Sequence, residues 1–597
     1  MDYPSPMHHQ VPHSSKPHMH HPSHPLLSNQ LQPISSESHT SMWLDDSYPM
    51  SNGCPSQRDS GFNSRPASLR SVDSAGTSSQ HHGSGAAMYE QMPPRLPNDI
   101  ENTRPQYTEL QSVPGPPPKP EPSQVIPELL NLLMEDDPVI VREAVLLTHI
   151  LVKEGNESRS EVIQNRELIN TLLETFSKDM GDGKVTHALV NLFHSLSQQQ
   201  EGLRVIYDCG GIARLLQILD SADNIVNYAI TTLHNFLIVL QHQAADEIYR
   251  CEGLIKFIHL LDSTNDKLLT LVTDSLLKMS SYSTKSKQFI QNSEECIQRL
   301  LWIFETNKYD KLLLTLSKLL PIISSGNEMN KSLILRSNGL NIIEKHLRTT
   351  KSIRIRHNCL ITLRNISNQA TQMRDIDSLI QQLTAMLSSD DRQSVIHSLE
   401  ILGNLTADNQ NNKSLFVKLN GVQSVMQKLM MNSDGNDELI EAALCTLRHI
   451  TARHDLENEA REIVRKSYGI GNIVKLFRDK NYNGHWGTIR ATVGLIRNLS
   501  LSQSIIPNLC EQNTVQKLIE LLMNLERDRL KLPEDNQRFD ALMGSIVITL
   551  TSLAKDSTCR AIIRDMNGLP ILMRLSHLPT CSLQQSTKNL LHELNIE

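Results

Sequence analysis

Asparagine recurs at one register of this 597-residue chain, as Asn235 in LHNF (233–236), Asn365 in LRNIS (363–367), Asn404 in GNLT (403–406) and Asn498 in RNLS (497–500). A side-chain amide offers two donors and an acceptor, the set needed to hold a polypeptide backbone that lacks secondary structure of its own. At the end of a helix the same amide serves equally well as a cap or as a bond to a neighbouring segment. Cations fall on or beside this register: Lys278, Arg364, Arg448 and Arg497, with Arg453 and Arg490 close by. A guanidinium fork suits carboxylate or phosphate. The chemistry these residues suggest is recognition of an extended anionic chain, not bond making. No Ser/His/Asp or Cys/His set has credible spacing, so no catalytic residue, metal site or cofactor is expected. The pairs His8-His9 and His20-His21 read as compositional bias, and Gly469-Ile470-Gly471 lacks the strand and third glycine of a dinucleotide site.

Positioning such a register requires a repeating element. It can be followed through Ile150, Ser195, Asn235, Lys278, Ile322, Asn365, Asn404, His449, Asn498, Ser552 and Glu593, at a spacing of about 43 residues. That is the period of armadillo or HEAT arrays, in which helical units stack into a solenoid and expose one continuous binding face. Within a unit, Gly210-Gly211 precedes apolar residues at 212, 215, 216 and 219, an amphipathic helix, and a second helix is expected over about 226–240. Gly253, Gly339, Gly421 and Gly568 mark the same turn elsewhere. The reading is an all-α, right-handed superhelical solenoid of about 11 repeats over 124–597, with a charged surface insertion at about 526–538. Residues 1–123 are rich in Pro, Ser and His, bury too little to offset ordering entropy, and read as a disordered arm.

Aromatic content of 4% suits helices packed through Leu and Ile. The arm carries 11 Asp+Glu and 7 Lys+Arg, leaving −3 of the formal −7 for the repeats, so net charge does not reveal the sign of a groove. Nine cysteines without paired spacing and no apolar N-terminal segment point to a reduced, intracellular setting. No apolar run is long enough to span a membrane, nothing suggests direct nucleic-acid binding, and a monomer is the default.

The blocks YAITTLHN (228–235), TLRNIS (362–367), ALCTLRHITARH (443–454) and ATVGLIRNLS (491–500) resemble the repeats of the β-catenin (armadillo) family in order and spacing. Asp59-Ser60-Gly61-Phe62-Asn63-Ser64 resembles its phosphodegron, with Ser68 continuing the four-residue series and Val72 interrupting it. The resemblance implies a scaffold that binds acidic extended segments (cadherin tails, T-cell factor, axin and the adenomatous polyposis coli protein) in a basic groove. It implies roles in Wnt signalling or adhesion, and residence in cytoplasm, nucleus and cell-cell junctions. By the resemblance, Lys311 and Lys413 match two groove lysines. Asn235, Asn365 and Asn404 supply amides, and Arg364, Arg448, His449, Arg453, Arg490 and Arg497 match basic groove positions, His449 being equally readable as a core histidine. Phosphorylated Ser60, Ser64 and Ser68 would be read by a ubiquitin-ligase receptor.

Two departures limit the likeness. A proline-dense stretch at 114–120 stands where the family has its α-catenin helix, so weak or absent α-catenin binding is expected. The chain stops at Glu597 inside the eleventh repeat, without the family's final repeat or activation tail, which suggests a competitor or adhesion-only variant, or a truncated chain. A nuclear import receptor on the same fold grips lysine-rich signals with a tryptophan ladder. Only Trp302 and Trp486 lie in these repeats.

Overall fold

The computed structural model describes residues 122–595, except 177–182, 222, 432–436, 468, 480–483, 532–535, 567 and 579–580. The arm with Asp59, Ser60, Gly61, Ser64 and Ser68 lies outside the described residues, as do the histidine pairs and the stretch at 114–120. The described part is helical throughout, and its helices fall into successive units of three. In one unit a short first helix Glu328–Arg336 and a second, Gly339–Thr349, precede a long third helix, Ile353–Ala370. The opening unit and the unit ending at Thr406 have two helices each. This is an armadillo solenoid.

Local sequence sets these boundaries. Asn327 caps the first helix by accepting from the Asn330 N–H (3.1 Å), Ser352 caps the third through Ile355, and Asn409 does the same for Gln410–Lys418. Between first and second helices the chain turns through a left-handed residue, Gly210, Glu252, Asn338, Asn420 or Asn513, and in the first four of these turns a glycine follows. That glycine answers a close approach, since a Cβ on Gly339 would lie 2.6 Å from the Ile334 carbonyl oxygen. The expected helix after Gly211 is Gly211–Gln217, prolonged by a 3₁₀ turn, with Ile212, Leu215, Leu216 and Leu219 buried.

Third helices of consecutive units pack along one another from Pro138–Glu154 to Cys581–Glu593, forming a continuous layer. Two residues before the register, Phe193, Leu233, Leu276, Leu363, Leu447 and Leu550 are all fully buried. Each of these six third helices is therefore anchored by one apolar side chain close to its register residue, which restricts helix rotation.

At the ends of the charged stretch 526–538, Glu526 to Arg529 close the helix Thr514–Arg529 and Asn536 to Arg538 begin Asn536–Leu553. Glu and Arg are good helix formers, and the segment is tied down by Arg574 Nε to Glu526 (2.8 Å) and Arg529 to Asp540. Pro533 lies outside the described residues. The cysteines, read as unpaired, include a Cys510–Cys559 disulfide between the first helices of two adjacent units (Cα–Cα 6.3 Å). Stacking brings these distant positions together, which spacing along the chain does not reveal. No helix among the described residues is long and apolar enough to cross a membrane.

Replacing Gly339 by Ala forces its Cβ against an immovable backbone oxygen and should destabilise the fold by ~1–3 kcal/mol. Thermal unfolding followed by circular dichroism checks this; an unchanged transition would contradict it.

Candidate functional site

The register asparagines close on the preceding unit. Asn235 Nδ2 donates to Ser197 Oγ (3.0 Å), Asn365 Nδ2 to Ser324 Oγ (3.0 Å) and the Pro321 carbonyl (3.1 Å), and Asn404 Nδ2 to Ser367 Oγ (2.9 Å). Asn498 Nδ2 reaches Thr451 Oγ1 (3.1 Å) and the Arg448 carbonyl (2.8 Å). In every case the accepting hydroxyl sits two residues past the register of the unit before. Of the roles open to these amides, the donors take the structural one. Asn404 Oδ1 is buried without a hydrogen-bond partner.

The cations divide into two sets. Arg364 Nε lies 3.4 Å from Glu400 Oε2, an ion pair without hydrogen-bond alignment, and His397 Nδ1 meets the same oxygen at 2.9 Å. Further back, Asp274 gathers His234 (2.6 Å) and Lys278 (3.6 Å), which hold its carboxyl below the usual range against the opposing effect of its own burial. This length of the wall neutralises its own charge.

The second set is a cationic neighbourhood. Lys413, Arg448, Arg453 and Arg490 surround His449, whose pKa is driven well below the ordinary histidine value, first by lost hydration and then by those four charges. His449 is thus neutral at physiological pH, and Arg448 Nη2 lies 3.3 Å from its Nε2. Arg448 crosses toward the next third helix, where a Cβ on Gly494 would come within 2.6 Å of its Cδ, so glycine makes its room. Arg453 is exposed, its left-handed backbone (φ 62°) held by a 2.6 Å bond from its N–H to Glu457 Oε2. Arg490 and Arg497 share the helix Trp486–Leu499, seven residues apart and hence on one face.

Lys311 and Lys413, each matched by resemblance to a groove lysine, sit at different positions of their repeats. Lys311 is exposed in the first turn of the third helix Asp310–Ile323. Lys413 belongs to a first helix and is 3% exposed, its Nζ donating to the Ala452 carbonyl (2.7 Å), with its pKa lowered to about 8 chiefly by burial and then by Arg453. Its counterparts, three residues after the start of a first helix, are Arg159, Lys287, Lys331 and Arg560. Arg159 Nε and Arg560 Nε each donate at 2.9 Å to carbonyls of the preceding third-helix end, Val152 and Ala554. Lys287 reaches Ser325 Oγ (2.9 Å), and Lys331 pairs with Glu328 (2.7 Å). Lys413, Arg159 and Arg560 thereby satisfy carbonyls at the ends of third helices. Their fixed offset from the helix start was visible in the sequence and was missed.

Among the described residues, Cys510, Asp556 and Cys559 form one group with metal-ligand atoms close together. The sulfurs are bonded to each other, and the Asp556 carboxylate accepts the Thr558 and Cys559 N–H groups as a helix cap, so nothing remains to hold an ion.

No family model matches the chain. It is 33% identical over 483 residues to junction plakoglobin of Xenopus laevis, covering 79% of this chain and 64% of the relative. Catenin beta of Tripneustes gratilla is 33% identical over 489 residues, with 80% and 58% covered. Catenin beta of Urechis caupo is 30% identical over 485 residues, with 79% and 58% covered. In sequence the chain is similar to these plakoglobin and catenin beta relatives. It spans somewhat under two thirds of the length of these relatives. A solved structure from work on a phosphorylation switch controlling the interaction between cadherin and β-catenin matches with a TM-score of 0.69 at 24% identity, covering 78% of this chain and 91% of that one. That likeness supports the β-catenin-type solenoid fold.

The depressed pKa of Lys413 gives a signed prediction. Below about pH 8 it is charged in both states and its burial cost is complete; between about 8 and 10.5 only the unfolded chain keeps the proton, so stability rises with pH. Urea unfolding should show wild type gaining up to about 3 kcal/mol over Lys413→Met across that window. A constant difference between the two proteins would refute the buried, partly discharged lysine.

Proposed function

We propose that this chain is a β-catenin-type scaffold whose third-helix wall grips an extended acidic protein segment. The observation that carries the reading is the cationic neighbourhood of Lys413, Arg448, Arg453 and Arg490 about a neutral His449. The related solved structure comes from work on cadherin and β-catenin, which makes a cadherin cytoplasmic tail the first ligand class. T-cell factor, axin and adenomatous polyposis coli segments share the same acidic, extended chemistry. Adhesion at cell-cell junctions and Wnt signalling through cytoplasm and nucleus are the corresponding settings, and binding rather than catalysis is the activity.

Physics favours this part of the wall. Exposed ion pairs contribute only ~0–1 kcal/mol each, so affinity must come from several contacts in parallel. Clustered like charges raise the local potential and attract an anionic chain more strongly than the same charges spread out. The asparagines contribute indirectly, by keeping successive third helices in register.

Fluorescence anisotropy of the full chain with a labelled acidic cadherin-tail peptide tests the proposal. Arg453→Glu combined with Arg490→Glu should weaken binding by roughly tenfold or more, and wild-type affinity should fall as salt rises. Arg453 is exposed and Arg490 only partly buried, so folding should survive; no binding at low salt, or unaltered affinity of the variant, would end the reading. Phosphorylation-dependent turnover through Asp59, Ser60, Gly61, Ser64 and Ser68 belongs to the same proposal. Ser60→Ala with Ser64→Ala should lengthen the protein's half-life in cells, and an unchanged half-life would remove it.

A further inference from the structure

Trp302 is 62% exposed on the second helix Glu294–Thr306, while Leu301, Ile303 and Phe304 beside it are buried. A large aromatic left in water forgoes much apolar burial, and exposed tryptophans in clefts are characteristic anchors for partners. Among the described residues no ring or cation stacks on this indole, whereas Trp486 meets both Phe539 and Arg538. Trp302 lines a cleft of about 380 Å³ with Leu301 and Ile342. Glu294 and Glu305 lie on the same helix, and Arg336 borders the cleft from the next unit. Glu294 accepts only from Gln298 (3.1 Å), and Glu305 makes no ion pair among the described residues. A second cleft is lined by Tyr249, Lys285 and Phe289; Ser293 borders it and the next residue, Glu294, borders the first.

We propose that this cleft docks an arginine- or lysine-bearing segment of a partner protein, its cation lying over the Trp302 indole between Glu294 and Glu305. The face of an indole attracts cations through its quadrupole, and two carboxylates without internal cations complete the complement. Arg336 faces the ligand's main-chain carbonyls, and the aromatic cleft beyond Ser293 accommodates the residues that follow. No third-helix residue lines either cleft, so this surface is separate from the acidic-peptide wall and has the opposite charge preference. The chain would thus hold a basic segment on its first and second helices while an acidic one lies on its third helices.

The test uses the full chain labelled with 5-fluorotryptophan, whose three tryptophans give resolvable fluorine resonances, with Trp302→Phe assigning the relevant one. Titration with the peptide acetyl-GSRGSRGS-amide should shift the Trp302 resonance saturably and leave Trp486 unmoved. The matched glutamate peptide should leave Trp302 unmoved as well. Glu294→Gln with Glu305→Gln should weaken the arginine peptide at least roughly threefold, and Arg336→Ala should not weaken it. These are surface changes, and an unaltered melting temperature verifies folding. No shift up to roughly 20 mM peptide, an equal response to the glutamate peptide, or indifference to removal of both carboxylates would each overturn the proposal.

Discussion

The bond from a register asparagine to a hydroxyl of the preceding unit is the constraint on which the rest of this structure depends. Asn365 to Ser324 and Asn404 to Ser367 form consecutive rungs, because Ser367 belongs to the same helix as Asn365. Each rung fixes the separation and rotation of two third helices, and a solenoid passes such a constraint only between neighbours. Apolar packing alone would tolerate small rotations, since Leu and Ile contacts are non-directional. A buried amide does not, because misalignment leaves its donor unsatisfied at a cost of ~1–3 kcal/mol.

Fixed rotation is what allows charge to accumulate on one wall. Arg448, Arg453 and Arg490 converge on His449 only because the helices carrying them are held at set angles, with Gly494 leaving space for the Arg448 stem. Burial first, and neighbouring positive charge second, keeps His449 neutral and lowers the pKa of Lys413 to about 8. Around Glu400, Arg364 and His397 share one carboxylate.

Much of this was legible in the sequence. The period of about 43 residues located the register, and glycines at 253, 339, 421 and 568 marked the openings of second helices. The direction in which Asn235, Asn365 and Asn404 spend their donors was not legible, because a helix-end amide has two chemically equal outlets and only the neighbouring unit decides between them. The burial of Lys413 was not legible either, because only the neighbouring helix end supplies the Ala452 carbonyl that its amine reaches. The recurring cation three residues into the first helix was present as a pattern but hidden behind the more conspicuous asparagines. Cys510 and Cys559 escaped notice because proximity between stacked units has no signature in local spacing.

Hydrogen exchange of the full chain with and without a bound acidic cadherin-tail peptide locates the ligand on the solenoid. Added protection is expected at the ends of the third helices Asp437–Ile450 and Trp486–Leu499 and around Arg453, with the second helices Gly421–Met431 and Glu294–Thr306 unchanged. Protection confined to the second helices would contradict it.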